Sequence, residues 1–220
     1  ASDTRGDICY QDAVQTALAL AEPDVVFHMA AQPLVRESYA APVKTFETNL
    51  MGTVNVLEGV RRSPSVKALV VVTTDKVYKN REWSHPYREI DEIGGSDPYS
   101  ASKGACEIAI ASFRQSFWSQ SDSGTPSVVS VRAGNVIGGG DWSPDRLVPD
   151  IFRALESRKP LRIRSPRALR PWQHVLDPLC GYLLLAESLL TRPKDSLPSS
   201  WNFGPRLAEV VSVIDLVQCL

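Results

Sequence analysis

Val70-Val71-Val72-Thr73-Thr74-Asp75-Lys76 reads as the end of a buried strand that runs directly into polar groups. From Ala68 to Thr73 the run is rich in valine and shows no polar/apolar alternation, so both faces of the strand are expected to be covered. Upstream, Asp24-Val25-Val26-Phe27-His28-Met29-Ala30 reads as a second such strand, and Val43 to Arg62 has the spacing of an amphipathic helix. Downstream, a helix is expected from Pro98 or Tyr99 to about Trp118. The polar turn Gln120-Ser121-Asp122-Ser123-Gly124-Thr125-Pro126 and a strand from Ser127 to Val131 follow. Near-continuous apolar strands separated by helices imply an α/β fold with a doubly wound parallel sheet. Ligands of such sheets sit beyond the carboxyl ends of the strands. Three polar strand ends, Ala30-Ala31-Gln32, Thr74-Asp75-Lys76 and Arg132-Ala133-Gly134-Asn135, are expected to converge on one crevice.

Tyr99 and Lys103 lie four apart, hence one turn apart on a common helix face. An ammonium near the phenol favours phenolate, bringing a group that ordinarily titrates near 10 toward neutrality, where it can take a proton from a hydroxyl. Tyr and Lys at this spacing also recur by chance on solvated helices, so the strand ends around the pair carry the weight. Other residues have plainer readings. His28 ends a strand and suits a satisfied core histidine, and His85 and His174 lack metal-ligand spacing, so no metal site is expected. Ser100 and Ser102 have no His-Asp arrangement nearby. Trp83, Trp142 and Trp172 suit packing anchors as well as base stacking.

Through His28-Met29-Ala30-Ala31-Gln32, Asn49, Thr73 to Lys76, Tyr99-Ser100-Ala101-Ser102-Lys103 and Arg132-Ala133-Gly134-Asn135, nearly the whole chain resembles the extended short-chain dehydrogenase/reductase superfamily. Within it, the chain is similar to the CDP-glucose 4,6-dehydratases. The runs that carry this are Thr74 to Trp83, Gly94 to Ser100, Gly138-Gly139-Gly140-Asp141-Trp142 and Arg170-Pro171-Trp172-Gln173-His174-Val175. The resemblance implies a Rossmann-type sheet, NAD as cofactor and a lyase that converts CDP-glucose to CDP-4-keto-6-deoxyglucose. The steps are C4 oxidation, loss of water across C5 and C6, and return of the hydride to C6. It further implies that Tyr99, kept partly ionised by Lys103, takes the C4 hydroxyl proton while Thr74 hydrogen-bonds the same oxygen. Asp75 becomes the acid for the C6 hydroxyl, which requires a raised pKa. Lys76 is the C5 base, a cation that stabilises the enolate, or only the partner of Asp75; a direct catalytic role is favoured. Cofactor contacts are implied for Asp7, Ile8, Ala30, Ala31, Gln32, Tyr99 and Lys103, substrate contacts for Thr74, Asn135, Arg146 and Arg170, and a structural hydrogen-bonding role near the active site for Asn49.

The family's glycine-rich strand-to-helix turn, which cradles the cofactor pyrophosphate, is missing from these 220 residues, and Gly138-Gly139-Gly140 lies too late to replace it. Gly6-Asp7-Ile8 resembles the end of the family's third strand. A first βαβ unit of roughly 60 residues is therefore expected to be missing. Val211 to Leu220 reads as a short helix capped by Ser212 and Asp215, and the chain as an internal fragment with its sheet incomplete at the N-terminus. Two parts are expected: residues 1–133, a partial NAD-binding Rossmann domain, and residues 134–220, mainly a smaller, loop-rich substrate-binding region with returns to the sheet. The latter carries Arg153, Arg158, Lys159, Arg162, Arg164, Arg167 and Arg170 against Glu156, suited to a diphosphate though mostly solvated.

A net charge of −1 provides no general attraction to nucleic acid, and no stretch is apolar enough to span a bilayer. Cys9, Cys106, Cys180 and Cys219 are scattered, as in reduced structural thiols of a cytoplasmic protein. Helices 43–62 and 99–118 resemble the family's dimer-forming pair, with Ala105, Ala109, Ala111 and Phe113 expected outward, so a homodimer is expected. Other readings are a different nucleotide-sugar dehydratase, a 4-epimerase, and a catalytically silent module that serves interaction. A 4,6-dehydratase is preferred over a 4-epimerase because the latter needs no acid and base after Thr74. Its product would suit deoxysugar synthesis for surface polysaccharide.

Overall fold

The computed structural model describes residues 2–118, 124–194 and 196–220. Most of the polar turn read at Gln120 to Pro126 lies outside them. The chain divides into two compact units, Ala1–Arg132 with Tyr182–Asn202, and Ala133–Gly181 with Phe203–Leu220. The first division falls at the end of the third strand, and Tyr182–Asn202 returns to the first unit.

In the first unit α1 (Gln11–Ala21) precedes β1 (Val25–His28). Next come α2 (Val35–Ala40), α3 (Pro42–Phe46), a π-helical segment (Glu47–Met51) and α4 (Gly52–Arg61). β2 (Ala68–Val72), α5 (Pro98–Phe117) and β3 (Ser127–Ala133) complete the alternation. β1, β2 and β3 are parallel, in the register Val25↔Ala68↔Ser127, and β7 (Ser200–Phe203) lies beside β3. Leu69 and Val71 of β2 join Leu18, Val56, Leu57, Val60, Cys106 and Ile110 in one apolar cluster beneath α1, α4 and α5. Val70, on the opposite face of the same strand, is also buried, which accounts for the absence of alternation. Gly59 allows α1 to close on α4, because a Cβ there would lie 2.8 Å from Leu18 Cδ1.

The helix read from Val43 to Arg62 contains a wide turn that its spacing did not show. In that turn the Asn49 carbonyl accepts the Thr53 hydroxyl at 2.6 Å and the Cys106 thiol at 3.1 Å as well as the Gly52 amide, so side chains add to its backbone pairing. Asp97 caps α5, its carboxylate accepting from Ser100 N at 3.0 Å, and Pro98 occupies the first turn. Ala109 and Phe113 pack against the core cluster rather than outward as expected, since α5 turns its residue-106, -109, -110 and -113 face to the sheet. Gly6–Ile8 is not in a strand: Asp7 caps the turn before α1 by accepting from Cys9 N at 2.9 Å, and Ile8 abuts Gly52.

The second unit pairs β4 (Asn135–Ile137) with β6 (Trp172–His174) in parallel, and β5 (Leu169–Arg170) with β8 (Val211–Ser212) antiparallel. Gly138 brings the end of β4 against Val175, where a Cβ would stand 2.6 Å from Val175 Cγ1. The short helix expected after Gly134 is α6 (Leu147–Ser157). α7 (Leu176–Thr191) was not anticipated, because its consecutive leucines form no polar stripe. The final helix, α8 (Val213–Cys219), has the Ser212/Asp215 capping box read from the sequence. Among the described residues no helix is long and apolar enough to cross a membrane.

Candidate active site

The site in the first unit grows from the carboxyl end of β2. Thr73 and Thr74 are buried, and Thr74 caps a single 3-10 turn, Asp75–Val77. Thr74 Oγ1 donates to Asp75 Oδ1 at 3.1 Å, and Lys76 Nζ donates to the same oxygen at 2.9 Å. Asp75 and Lys76 are each about one-third exposed. Asp75 Oδ2 makes no hydrogen bond among the described residues. The carboxyl is thus fixed through one oxygen, with the other available to a ligand.

Tyr99 and Lys103 project from the first turns of α5, with 8% and 4% exposure. Ser38 Oγ accepts from Tyr99 N at 3.1 Å, tying α2 to the start of α5. Gly95 permits this tight entry, since a Cβ there would lie 2.2 Å from the Ser100 carbonyl carbon. Lys103 Nζ donates to Val72 O at 3.0 Å, so the ammonium seals the β2 end with one of its three protons. Burial pushes its pKa down, while the nearby Cys106 and Glu107 pull it back up. His28, at the end of β1, hydrogen-bonds Thr53 Oγ1 at 3.0 Å. Burial, with a smaller contribution from the Lys103 charge, lowers its pKa to about 4. At neutral pH it is therefore uncharged, a satisfied core histidine as its sequence position suggested.

Asn49 holds the loop after β1. Its Oδ1 accepts from Gln32 N at 2.8 Å, and its Nδ2 donates to Gln32 O at 3.1 Å and to Ser102 Oγ at 2.9 Å. The Gln32 side chain folds into its own loop, donating to Leu34 O and Thr45 Oγ1. Gln32 therefore shapes the loop, and the small, partly exposed Ala30 and Ala31 form its open ledge. Asp7 is exposed, bonded to Cys9 N and 3.8 Å from Lys44 Nζ. Its carboxyl is lowered mainly by the Cys9 hydrogen bonds.

Arg132, read with the crevice, instead turns into the protein. Its Nε and Nη2 make a bidentate pair with Glu107 at 2.9 and 2.7 Å, and its Nη1 donates to Tyr78 Oη at 2.7 Å. An arginine in an apolar strand stays buried only where a carboxylate meets it, and that carboxylate comes from α5.

In the second unit, Asn135 Oδ1 and Trp172 Nε1 are buried with no hydrogen-bond partner among the described residues, and the two residues are register neighbours on β4 and β6. Arg146 stands at the start of α6. Arg170 is exposed on β5, its guanidinium donating to Leu169 O. Arg153 binds Asp150 and the carbonyls of Trp142 and Ser143, which removes it from the free cations of the basic segment.

The residues fit the nicotinamide half of the cofactor. The buried Lys103 ammonium has donors left over for hydroxyls, and the alanine ledge lies at a parallel strand end, where such ligands approach.

Residues 2–199 match the family described as the NAD dependent epimerase/dehydratase family. The CDP-glucose 4,6-dehydratase of Salmonella typhimurium is 50% identical over 203 residues, which cover 91% of this chain and 56% of that protein. A probable dTDP-glucose 4,6-dehydratase of Sinorhizobium fredii is 30% identical over 79% of this chain and 50% of its own length. The chain spans about half the length of these curated relatives. Among solved structures, the UDP-glucose 4-epimerase of Thermus thermophilus, in complex with NAD, superposes with a TM-score of 0.81 at 26% identity. That match covers 98% of this chain and 66% of the other. With its parallel sheet, its Thr74 turn and the paired Tyr99 and Lys103, the chain belongs to the NAD dependent epimerase/dehydratase family.

Proposed function

We propose that the chain carries the catalytic centre of a nucleotide-sugar 4,6-dehydratase, a lyase that uses NAD and converts CDP-glucose to CDP-4-keto-6-deoxyglucose. The observation that carries this reading is the Asp75/Lys76 pair fixed directly after Thr74. Oxidation at C4 needs only the Tyr99, Lys103 and Thr74 group, whereas loss of water needs a further acid and base. A 4-epimerase would have no use for the pair. Half-identity to a CDP-glucose 4,6-dehydratase supports the nucleotide.

Tyr99 takes the proton of the C4 hydroxyl, and Lys103 stabilises the phenolate. Thr74 holds the same sugar oxygen. When bound, NAD would supply the oxidising power at C4 and the reducing power at C6. Once C4 is a ketone, the C5 proton is acidic; Lys76 removes it while Asp75 protonates the departing C6 hydroxyl, and Lys76 gives a proton back to C5 when C6 is reduced. The pair has the same total charge as carboxylate with ammonium or as carboxylic acid with amine, so moving the proton within it adds no charge to the site. Ala30, Ala31, Gln32, Tyr99 and Lys103 would hold the cofactor's nicotinamide half, and Asp7 and Ile8 its adenine. Arg170 binds the nucleotide diphosphate, and Arg146 and Asn135 contact the substrate, Asn135 through an acceptor oxygen that has no hydrogen-bond partner among the described residues.

Asp75→Asn is expected to leave C4 oxidation within about threefold of the parent and to lower water loss by at least about 10²-fold, the usual worth of a positioned acid. Rapid-quench analysis of CDP-glucose turnover separates the two steps. Normal product formation would remove Asp75 as the acid and, with it, the main support for a dehydratase.

The partner is assigned as a second copy of the chain. Val43, Met51 and Ile108 are 81%, 49% and 66% exposed on helices 43–62 and 99–118, an apolar surface suited to helix–helix contact. Sedimentation at micromolar concentration should give twice the chain mass; a monomer alone would contradict the assignment. A cytoplasmic setting agrees with four free cysteines.

A further inference from the structure

We propose that Arg132, Glu107 and Tyr78 form a brace that positions the Thr74–Val77 turn, which makes Tyr78 a positioning residue for Asp75 and Lys76. The brace reaches both ends of the turn. On the near side, Thr73 Oγ1 donates to Glu107 Oε1 at 2.6 Å, and on the far side Tyr78 Oη accepts from Arg132 Nη1 at 2.7 Å. Between them, Glu107 and Arg132 are joined bidentately, and Ser130 Oγ donates to Glu107 Oε2 at 2.8 Å. Residues 74 to 77, which include the candidate acid and base, are therefore held at each end by one rigid pair.

The same guanidinium reaches further. Its Nη1 also donates to Glu89 O at 3.0 Å, and its plane lies over the Tyr78 ring at 5.1 Å. Tyr78 Oη donates to Asn202 Oδ1 at 2.7 Å, while Asn202 donates through its amide N to Glu89 Oε1 and through Nδ2 to Tyr87 O. Tyr78 and Tyr87 stack with ring centroids 5.0 Å apart. The segment from Lys79 to Ile93 is closed by the Tyr78↔Ile93 bridge and by Lys79 N donating to Glu92 O. This strap is consequently anchored to β3 and α5 through Arg132 and to β7 through Asn202.

A buried ion pair is a costly way to gain stability, because apolar residues of similar volume often do as well or better. What it provides is direction: a planar guanidinium and a planar carboxylate fix each other's orientation and that of every group bonded to them. Of the groups gathered here, the Thr73 hydroxyl, the Tyr78 hydroxyl and the Glu89 carbonyl belong to the segments on either side of the candidate catalytic turn. Catalytic rates are sensitive to displacements of about 1 Å in such groups.

Tyr78→Phe tests the brace while keeping the ring, the stack and the Glu107–Arg132 pair. In the full chain, hydrogen exchange at the Val77, Lys79 and Gly94 amides should rise about tenfold, with Val70 and Val71 of β2 unchanged as reporters of global opening. The kinetic arm rests on the dehydratase reading: kcat on CDP-glucose should fall about tenfold, with substrate Kd within about twofold. Unchanged exchange at the turn, or an equal rise at Val70 and Val71, overturns the brace. Faster local exchange with unchanged kcat overturns its part in catalysis. Should the parent fail to turn over CDP-glucose, the functional reading falls, and the exchange arm alone still decides the brace.

Discussion

Replacing Tyr99 with phenylalanine is expected to slow C4 oxidation of CDP-glucose by about 10³-fold, within the range that a positioned proton acceptor contributes. The change removes the phenolic oxygen and keeps the ring. Tyr99 meets Ser38 through its backbone amide, and Lys103 meets Val72 O through its own ammonium, so the start of α5 and the β2 end keep their contacts. Absorbance of reduced nicotinamide in a single turnover measures the step, and thermal unfolding checks that the fold is retained. Oxidation close to the parent rate would show that another group takes the C4 proton.

The largest expected loss of stability follows Glu107→Gln, at about 3–5 kcal/mol, the usual cost of leaving a buried charge without its partner. The substitution strands Arg132, and it removes a charged acceptor from the Thr73 and Ser130 hydroxyls. Burial pushes the Glu107 carboxyl up, but the Arg132 guanidinium with the two hydroxyls more than offsets this and leaves it below its ordinary value. A carboxyl lowered in the folded state contributes stability above its unfolded pKa, near 4.3, and loses that contribution as pH falls through the folded value. The parent's advantage over Glu107→Gln should therefore be full at pH 7 and shrink in acid. Urea unfolding at both pH values measures it, and a difference under about 1 kcal/mol at pH 7 would contradict the buried pair's role.

The parts of the fold and of the candidate site that were legible in the sequence are those whose geometry is local. Thr74, Asp75 and Lys76 follow a strand end, Tyr99 and Lys103 share a helix face, and Ser212 precedes Asp215 at the spacing of a capping box; each relation is set within a few residues. What stayed hidden depends on partners far along the chain. Arg132 looked like a crevice residue because nothing near it in sequence announces Glu107, 25 positions away on α5. The hold of Gln32 on its own loop depends on Thr45, 13 positions away, which no local spacing announces. The wide turn at Asn49 leaves no mark on apolar spacing, since one extra residue shifts the helical stripe too little to distinguish from an ordinary helix. α7 escaped for the opposite reason, with leucines on every side of it.

The dehydratase reading is tested most directly by giving the full chain, with NAD, CDP-glucose deuterated at C4, and locating the label in the product. Loss of water with the deuterium carried to C6 of a 4-keto-6-deoxy sugar is the expected result, because the electrons taken at C4 are returned two carbons away in the same active site. Deuterium retained at C4 of a sugar that has kept its C6 hydroxyl, whether unchanged or inverted at C4, would contradict it.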